Sequence, residues 1–259
     1  KQKDWKRLLR HSLHPDIQAL ALHQLQESKE LSDQHLLEYL KTSPYESVRL
    51  EAFLLLQQRH SDDFVSAIEN AADDELLQRF AVNALIKNGD PRLANTLAGK
   101  LCDVNTSARV AFNALQGTQF FSRQNLLPAV EDRLRQVAPY VVQPETYAKG
   151  VLKNAENYAG RWNEEIEKLC KGEMSHKRAL TQINFMRIYC PPYLLPQVAG
   201  YAATLKDDEL LLPLLEALGW HRQAYTSAQV VPVVEKLMKD TSHSEQVRQE
   251  ALKTYKRLK

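Results

Sequence analysis

Along the first half of the chain, apolar residues fall at every third or fourth position in short blocks, and the blocks themselves return at a near-constant interval. "IQALALHQL" begins at Ile17, "VRLEAFLLL" at Val48, "LQRFAVNAL" at Leu77 and "SARVAFNAL" at Ser107, with spacings of 31, 29 and 30 residues. Each block carries alanine at its fifth position (Ala21, Ala52, Ala81, Ala111) and leucine at its ninth (Leu25, Leu56, Leu85, Leu115). Apolar residues at i, i+4 and i+8 make one stripe on a helix. A small residue in the middle of that stripe lets a second helix approach closely. Between the blocks lie shorter amphipathic segments, "DQHLLEYLKT", "DFVSAIENAA" and "PRLANTLAGKL". The predicted unit is therefore a pair of helices about thirty residues long. Turn and capping signals ("HPD", "SPYES", "DVNTS") precede several of the blocks.

The pattern returns near the C-terminus. "VRQEALKTY" starts at Val247 with Ala251 in the alanine position, while "KRALTQINF" at Lys177 and "LLLPLLEAL" at Leu210 keep the apolar spacing without the alanine. A second recurrence marks the other helix of the pair. Leu126–Val130 and Leu194–Val198 both read Leu-Leu-Pro-x-Val, and Val230–Val234 reads Val-Val-Pro-x-Val. Pro128, Pro196 and Pro232 are expected in the first helical turn, where the missing N–H has no partner to lose. Helix pairs of this length, with Leu-Leu-Pro-x-Val in the first helix and Val-Arg-x-x-Ala in the second (Val48–Ala52, Val247–Ala251), resemble HEAT repeats. The likeness is strongest over residues 44–60 and 243–255, intermediate over 14–27 and 73–116, and weakest over 117–190.

That resemblance implies an all-α fold, a right-handed α-solenoid of about eight antiparallel helix pairs in which each repeat contacts mainly its neighbours. Residues 1–116 and 191–259 are expected as regular repeats and 117–190 as irregular ones, within a single domain. In the irregular part the pattern predicts helices near 124–138, 144–159, 161–171 and 174–190, with Gly160 and Gly172 as stops. The family has no shared active site, so the resemblance brings no catalytic residue and no cofactor.

Composition narrows the function classes. With 34 basic against 32 acidic residues the formal net charge is +2, too small to make nucleic acid a default partner. No run of eighteen apolar residues occurs, so no membrane span is expected. "KQKDWKRLL" lacks both an initiator Met and an apolar signal core, as expected for a module of a larger chain. Cys102, Cys170 and Cys190 are far apart and odd in number, which points to reduced, buried thiols and, by compartment, to the cytoplasm. His11, His14 and His23 lack companions with ligand spacing, so no metal site is expected. Asp73-Asp74-Glu75 and Asp207-Asp208-Glu209 fit helix starts, and His221 fits a helix C-terminus, where a cation is favourable. No nucleophile elbow, phosphate loop or HExxH motif is present.

Two groups of side chains remain as candidates. Arg49 and Arg248 hold the arginine position of the repeat and are expected as structural ladder residues, paired with an acidic residue in a neighbouring turn, for which Asp16, Asp73, Asp74 and Asp208 are suitable by position. Arg79 and Arg109, displaced within the pattern, are candidates for an exposed anion-binding stripe. Six of the ten tyrosines fall between positions 140 and 201. There they coincide with the irregular repeats and with mixed charge. Tyr147, Tyr158 and Trp162 are the candidates for a partner site, because aromatic side chains bury large areas with few rotors. The leading reading is a non-catalytic scaffold that binds a protein or peptide. Two alternatives stay open: a HEAT-like nucleic-acid protein or DNA-repair glycosylase using Trp5, Trp162, Trp220 and the arginines, and a HEAT-like bilin lyase.

Overall fold

The computed structural model describes residues 2–26, 31–59 and 61–259, with the side chains of residues 2 and 160–162 outside that description. Among the described residues all regular structure is helical: fifteen α-helices and four short 3-10 turns. No described helix is long and apolar enough to cross a membrane. The chain gathers into two compact units, Lys1–Ala84 and Leu85–Lys259.

The first unit holds α1 (Gln2–His11), α2 (Pro15–Gln24), α3 (Asp33–Thr42), α4 (Glu46–Gln58) and α5 (Phe64–Asp73); α6 (Gln78–Asn88) carries the boundary. Helices pack on the next and the next but one: α2 on α1 and α4, α3 on α4 and α5. The apolar stripe explains this. Val48, Ala52, Phe53, Leu55 and Leu56 give α4 a face buried on two sides, and Ala21, Ala52 and Ala81 are wholly inaccessible to solvent. Phe53 of α4 meets Phe64 of α5 in a tilted ring pair at 5.5 Å. At the start of α3, Ser32 and His35 form a capping box that satisfies two otherwise orphan amides.

Two arginines tie the helix ends of this unit. Arg49 Nε donates to Asp74 at 2.6 Å and Nη1 to the Ser43 carbonyl at 3.0 Å. Arg59, which the repeat pattern did not single out, donates from Nη1 to the Leu31 carbonyl at 2.6 Å and to Asp33 at 2.9 Å, and from Nη2 to the Gln26 carbonyl. Such fixed guanidinium forks convert carbonyls left over at helix ends into satisfied acceptors.

The second unit continues through α7 (Ala94–Cys102), α8 (Ala108–Gly117), α9 (Arg123–Val137), α10 (Pro144–Cys170), α11 (His176–Tyr189), α12 (Leu195–Thr204), α13 (Asp208–Gly219), α14 (Ser227–Lys239) and α15 (Glu245–Leu258). The same order of contacts recurs, with α7 on α8 and α9, α11 on α13, α12 on α14, and α15 on both α13 and α14. Four expectations are corrected here. In α8 the inward positions are Val110, Ala114 and Gly117, while Ala111 and Leu115 are only half-buried. Alanines at 108, 111 and 114 offer two helical registers, and the one that buries Val110 wins. Gly160 does not stop a helix: α10 runs unbroken for 27 residues and packs against α8, α9, α11 and α12, where two helices were expected. Gly172 does stop it, with φ +71. Pro128 and Pro232 lie at the sixth residue of α9 and α14, beyond the first turn. Both rings face solvent, where water can take up the carbonyl that the missing N–H leaves free. Only Pro196 sits in a first turn.

The fourth correction concerns neighbour-only contact. The turn after α6 docks on segments more than a hundred residues away. Asn88 Nδ2 donates to the Gln223 carbonyl at 3.2 Å, and the Tyr225 amide donates back to the Asn88 carbonyl at 3.0 Å. Gly89 follows with φ +63, and a Cβ there would stand 2.5 Å from Pro192 Cγ. Both the backbone conformation and the close approach therefore exclude other residues. Thr226 completes the clasp by donating its hydroxyl to the Pro192 carbonyl.

Two outcomes are expected from this packing. Ala81→Leu and Ala114→Leu should each cost about 1–3 kcal/mol by overpacking, and Ala111→Leu should cost less than either, as read by denaturant unfolding. Arg49→Ala should cost about 1.5–3 kcal/mol, the range for a charge-assisted hydrogen bond. Burial alone would raise the Asp74 pKa, but hydrogen bonds from Arg49 and from the Leu76 and Leu77 amides hold it below the usual carboxylate value. A depressed folded pKa stabilises the protein above the unfolded value of about 3.9. That contribution is lost as pH falls through the folded value, so Arg49→Ala should also flatten the acid limb of the stability profile.

Candidate functional site

The segment Gly219–Gln223 turns sharply where α13 ends, because the Trp220 and His221 amides fold back onto the Ala217 and Leu218 carbonyls. This turn, the C-terminal end of α11, the end of α6 at Ile86 and Lys87, and Arg257 of α15 line an open cavity of about 530 Å³ within the second unit. Its walls are apolar at Ile86, Phe120, Ile188 and Pro192. Its rim is cationic: Lys87, Arg187, Arg222 and Arg257 all line it, and no lining residue is a carboxylate.

Each side chain is held for a physical reason. Trp220 is 61% exposed, and the Arg257 guanidinium lies 6.0 Å from its ring centre. A Cβ at Gly219 would stand 3.1 Å from Arg257 Cδ, so the bare glycine is what lets the Arg257 stem lie along the end of α13. Arg187 is committed to Glu216 at 2.6 Å and forms part of the frame. Among the described residues Lys87, Arg222 and Arg257 have no carboxylate partner. Three positive charges therefore line the cavity with no carboxylate among the described residues to neutralise them, which favours a local positive potential despite a net charge of only +2.

The titratable groups that could do chemistry here are held inactive. His221 Nε2 donates to the Met186 carbonyl at 2.5 Å, which places a proton on Nε2. Burial pushes its pKa down, only partly offset by that hydrogen bond. The expected imidazolium at the helix end is thus corrected, since desolvation of the ring outweighs the dipole. Burial also pushes the Cys190 thiol pKa up, leaving it protonated.

The sequence-derived candidates are dispersed. Arg79 is exposed and lies over the ring of its neighbour Phe80 at 5.1 Å. Arg109 is exposed on α8. Arg49 is engaged by Asp74, so it does not stand in an open stripe. Arg248 bonds Glu245 of its own helix at 2.5 Å, not a neighbouring turn. Tyr147 is half-buried and donates to the Cys102 carbonyl at 2.6 Å, fastening α10 to the end of α7. Tyr158 is 38% exposed. The Trp162 side chain lies outside the described residues, and Trp5 is half-buried on α1. Only Trp220, among the residues named for the nucleic-acid reading, joins the cavity. The sequence reasoning missed Lys87, Arg187, Arg222 and Arg257. The signal available was "GWHR" at 219–222, an aromatic residue two positions before an arginine at a helix stop.

A second cluster joins His176 Nδ1 to Asp207 at 3.1 Å and Nε2 to Glu209 at 3.2 Å. Among the described residues this is the group in which metal-ligand types come close together. Its imidazole presents opposite nitrogens to two carboxylates, which is the geometry of an ion-pair bridge, and Asp207 also caps α13 through the Glu209 amide at 2.9 Å.

One pH dependence follows from His221. Its folded pKa lies below the unfolded value of about 6.5, so the unfolded chain gains a proton that the folded protein refuses as pH falls past that value. Tm should drop between pH 7.5 and 5.5, and His221→Gln, which keeps an N–H donor for Met186, should flatten that drop.

Compared with known proteins, the chain matches no family model and no curated protein.

Proposed function

We propose that this chain is a non-catalytic binding module that holds a peptide segment of a partner protein in the Trp220 cavity, on a HEAT-like α-solenoid. The solenoid reading is supported by contacts that recur, within each unit, between many helices and their next or next-but-one neighbours. The observation that carries the function is the set of unneutralised cations around an aromatic and aliphatic cavity. A ligand for that cavity has negative charge beside an apolar side chain. Its volume, about 530 Å³, suits one or two side chains. His221, a weakened base whose Nε2 proton is spent on the Met186 carbonyl, and the protonated Cys190 thiol favour capture without chemistry.

Nucleic acid is the second reading, favoured by Trp220 beside Arg222 and Arg257, because bases stack on aromatic faces and phosphates meet guanidinium groups. Panning a displayed library of random dodecamers should enrich sequences that place Asp or Glu beside aromatic or aliphatic residues. Binding of an enriched peptide should weaken at least about tenfold in the double variant Trp220→Ala, Arg222→Ala, with Tm unchanged. Binding that survives the double variant would remove the cavity from the reading. Single-stranded DNA bound more tightly than any enriched peptide, with a steep salt slope, would replace it.

A further inference from the structure

We infer that the group this cavity is built to anchor is an aryl phosphate monoester, as carried by a phosphorylated tyrosine side chain in a peptide. The inference rests on the peptide-binding reading above and names its chemistry.

Charge is the first argument. A carboxylate brings one negative charge, whereas a phosphate monoester brings about −1.5 to −2 at neutral pH and three acceptor oxygens. The cavity presents Lys87, Arg222 and Arg257 together, none of them neutralised by a carboxylate among the described residues. Arg187, whose guanidinium is already held by Glu216, adds a fourth cation to the wall. A monoanion would leave most of that charge uncompensated. A dianion compensates two of the three unpaired charges, and planar guanidinium forks meet phosphate oxygens two at a time. His221 adds no charge, being held neutral with Nε2 turned to Met186.

Shape is the second argument. The cations do not surround an open polar surface. They rim a cavity walled by Ile86, Phe120, Ile188 and Pro192, with Trp220 61% exposed at its edge. An inorganic ion or a phosphoserine has little to place against those walls. A phosphorylated ring fills them, stacks against Trp220 and delivers its phosphate to the rim, where ring stacking contributes beyond simple area burial. The layout agrees with the general mode in which arginine clusters recognise phosphorylated motifs.

Position is the third argument. Trp220, Arg222 and Gln223 belong to the turn after α13, whereas Ile86 and Lys87 precede the Asn88–Gly89 turn, and the clasp Asn88–Gln223 and Asn88–Tyr225 locks the two together. The two backbone segments that carry the apolar wall and these cations are therefore joined before any ligand arrives, which lowers the ordering cost of binding.

The test uses the whole chain labelled with nitrogen-15, following the indole N–H resonance of Trp220, assigned by its loss in Trp220→Phe. Phenyl phosphate, inorganic phosphate, benzoate and adenosine monophosphate are titrated separately. Phenyl phosphate should move the resonance saturably, at a concentration at least about tenfold below that for benzoate or inorganic phosphate, following the gain from paired charge and stacking. Arg222→Ala and Lys87→Ala, both at exposed positions, should each weaken phenyl phosphate about tenfold without changing Tm. Equal affinity for benzoate and phenyl phosphate would overturn the phosphate anchor while leaving an acidic peptide as ligand. Tighter binding of adenosine monophosphate than of phenyl phosphate would overturn the aryl phosphate in favour of a nucleotide, and the peptide reading with it. No saturable shift with any of the four would overturn the anchor, and peptide capture would then be judged by panning alone.

Discussion

The second unit depends on a single long-range closure at Asn88 and Gly89. Joining points 135 residues apart costs loop entropy that local helix pairing never incurs. The closure is held by means that leave no slack. Asn88 spends its side chain and its carbonyl on one segment, and Gly89 leaves no space between its Cα and the Pro192 ring. Asp90, just beyond, is buried and gripped by both Arg92 Nε and Nη2, at 3.0 and 2.7 Å, which fixes the direction in which the chain leaves the turn. Burial alone would raise the Asp90 pKa, but the Arg92 fork brings it below the usual carboxylate value. A buried polar network of this kind specifies one arrangement, because any shifted register leaves an amide unpaired in a low-dielectric setting.

The parts of the fold that were legible from sequence are those that depend on short-range spacing. Helix position, the buried alanines at 21, 52 and 81, and the Val-Arg-x-x-Ala block in α4 and α15 all follow from periodicity, since one helical stripe must find an apolar partner. Where periodicity was degenerate, the reading slipped. The alanine triplet of α8 admits two registers, and only the tertiary demand to bury Val110 and Gly117 selects one. Gly160 carries no local signal that separates a stop from a tolerated interior glycine. The neighbours on α8, α9, α11 and α12 supply the packing that keeps α10 continuous. Pro128 and Pro232 were placed one turn too early, because the rule for first-turn proline ignores the option of turning the ring to water.

The candidate site was less legible for a different reason. Its residues come from four separate stretches near 86–87, 187–192, 219–223 and 257, and no spacing rule connects them. Tyrosine density pointed instead to the centre of the chain. There Tyr147 serves as a fastener to the Cys102 carbonyl, and the strongly exposed apolar residues Tyr140 and Val142 lie beside a shallow concavity without charged lining.

Charge explains why the cavity is distinctive. Elsewhere several arginines are absorbed by the structure: Arg49 by Asp74, Arg59 by Asp33 and the carbonyls of Gln26 and Leu31, and Arg178 by Glu165. A nearly neutral protein has a weak average field, so cations without carboxylate partners dominate the potential wherever they cluster. At the Trp220 cavity the cluster sits against low-dielectric walls that water screens poorly, and the one imidazole in reach is kept from titrating by burial and by its bond to Met186. The field there is therefore steady across the pH range in which histidines usually switch. That steadiness suits recognition of a ligand whose own charge varies: a monoester with a second pKa near 6 would be sensed by its own protonation, against a receptor that holds still.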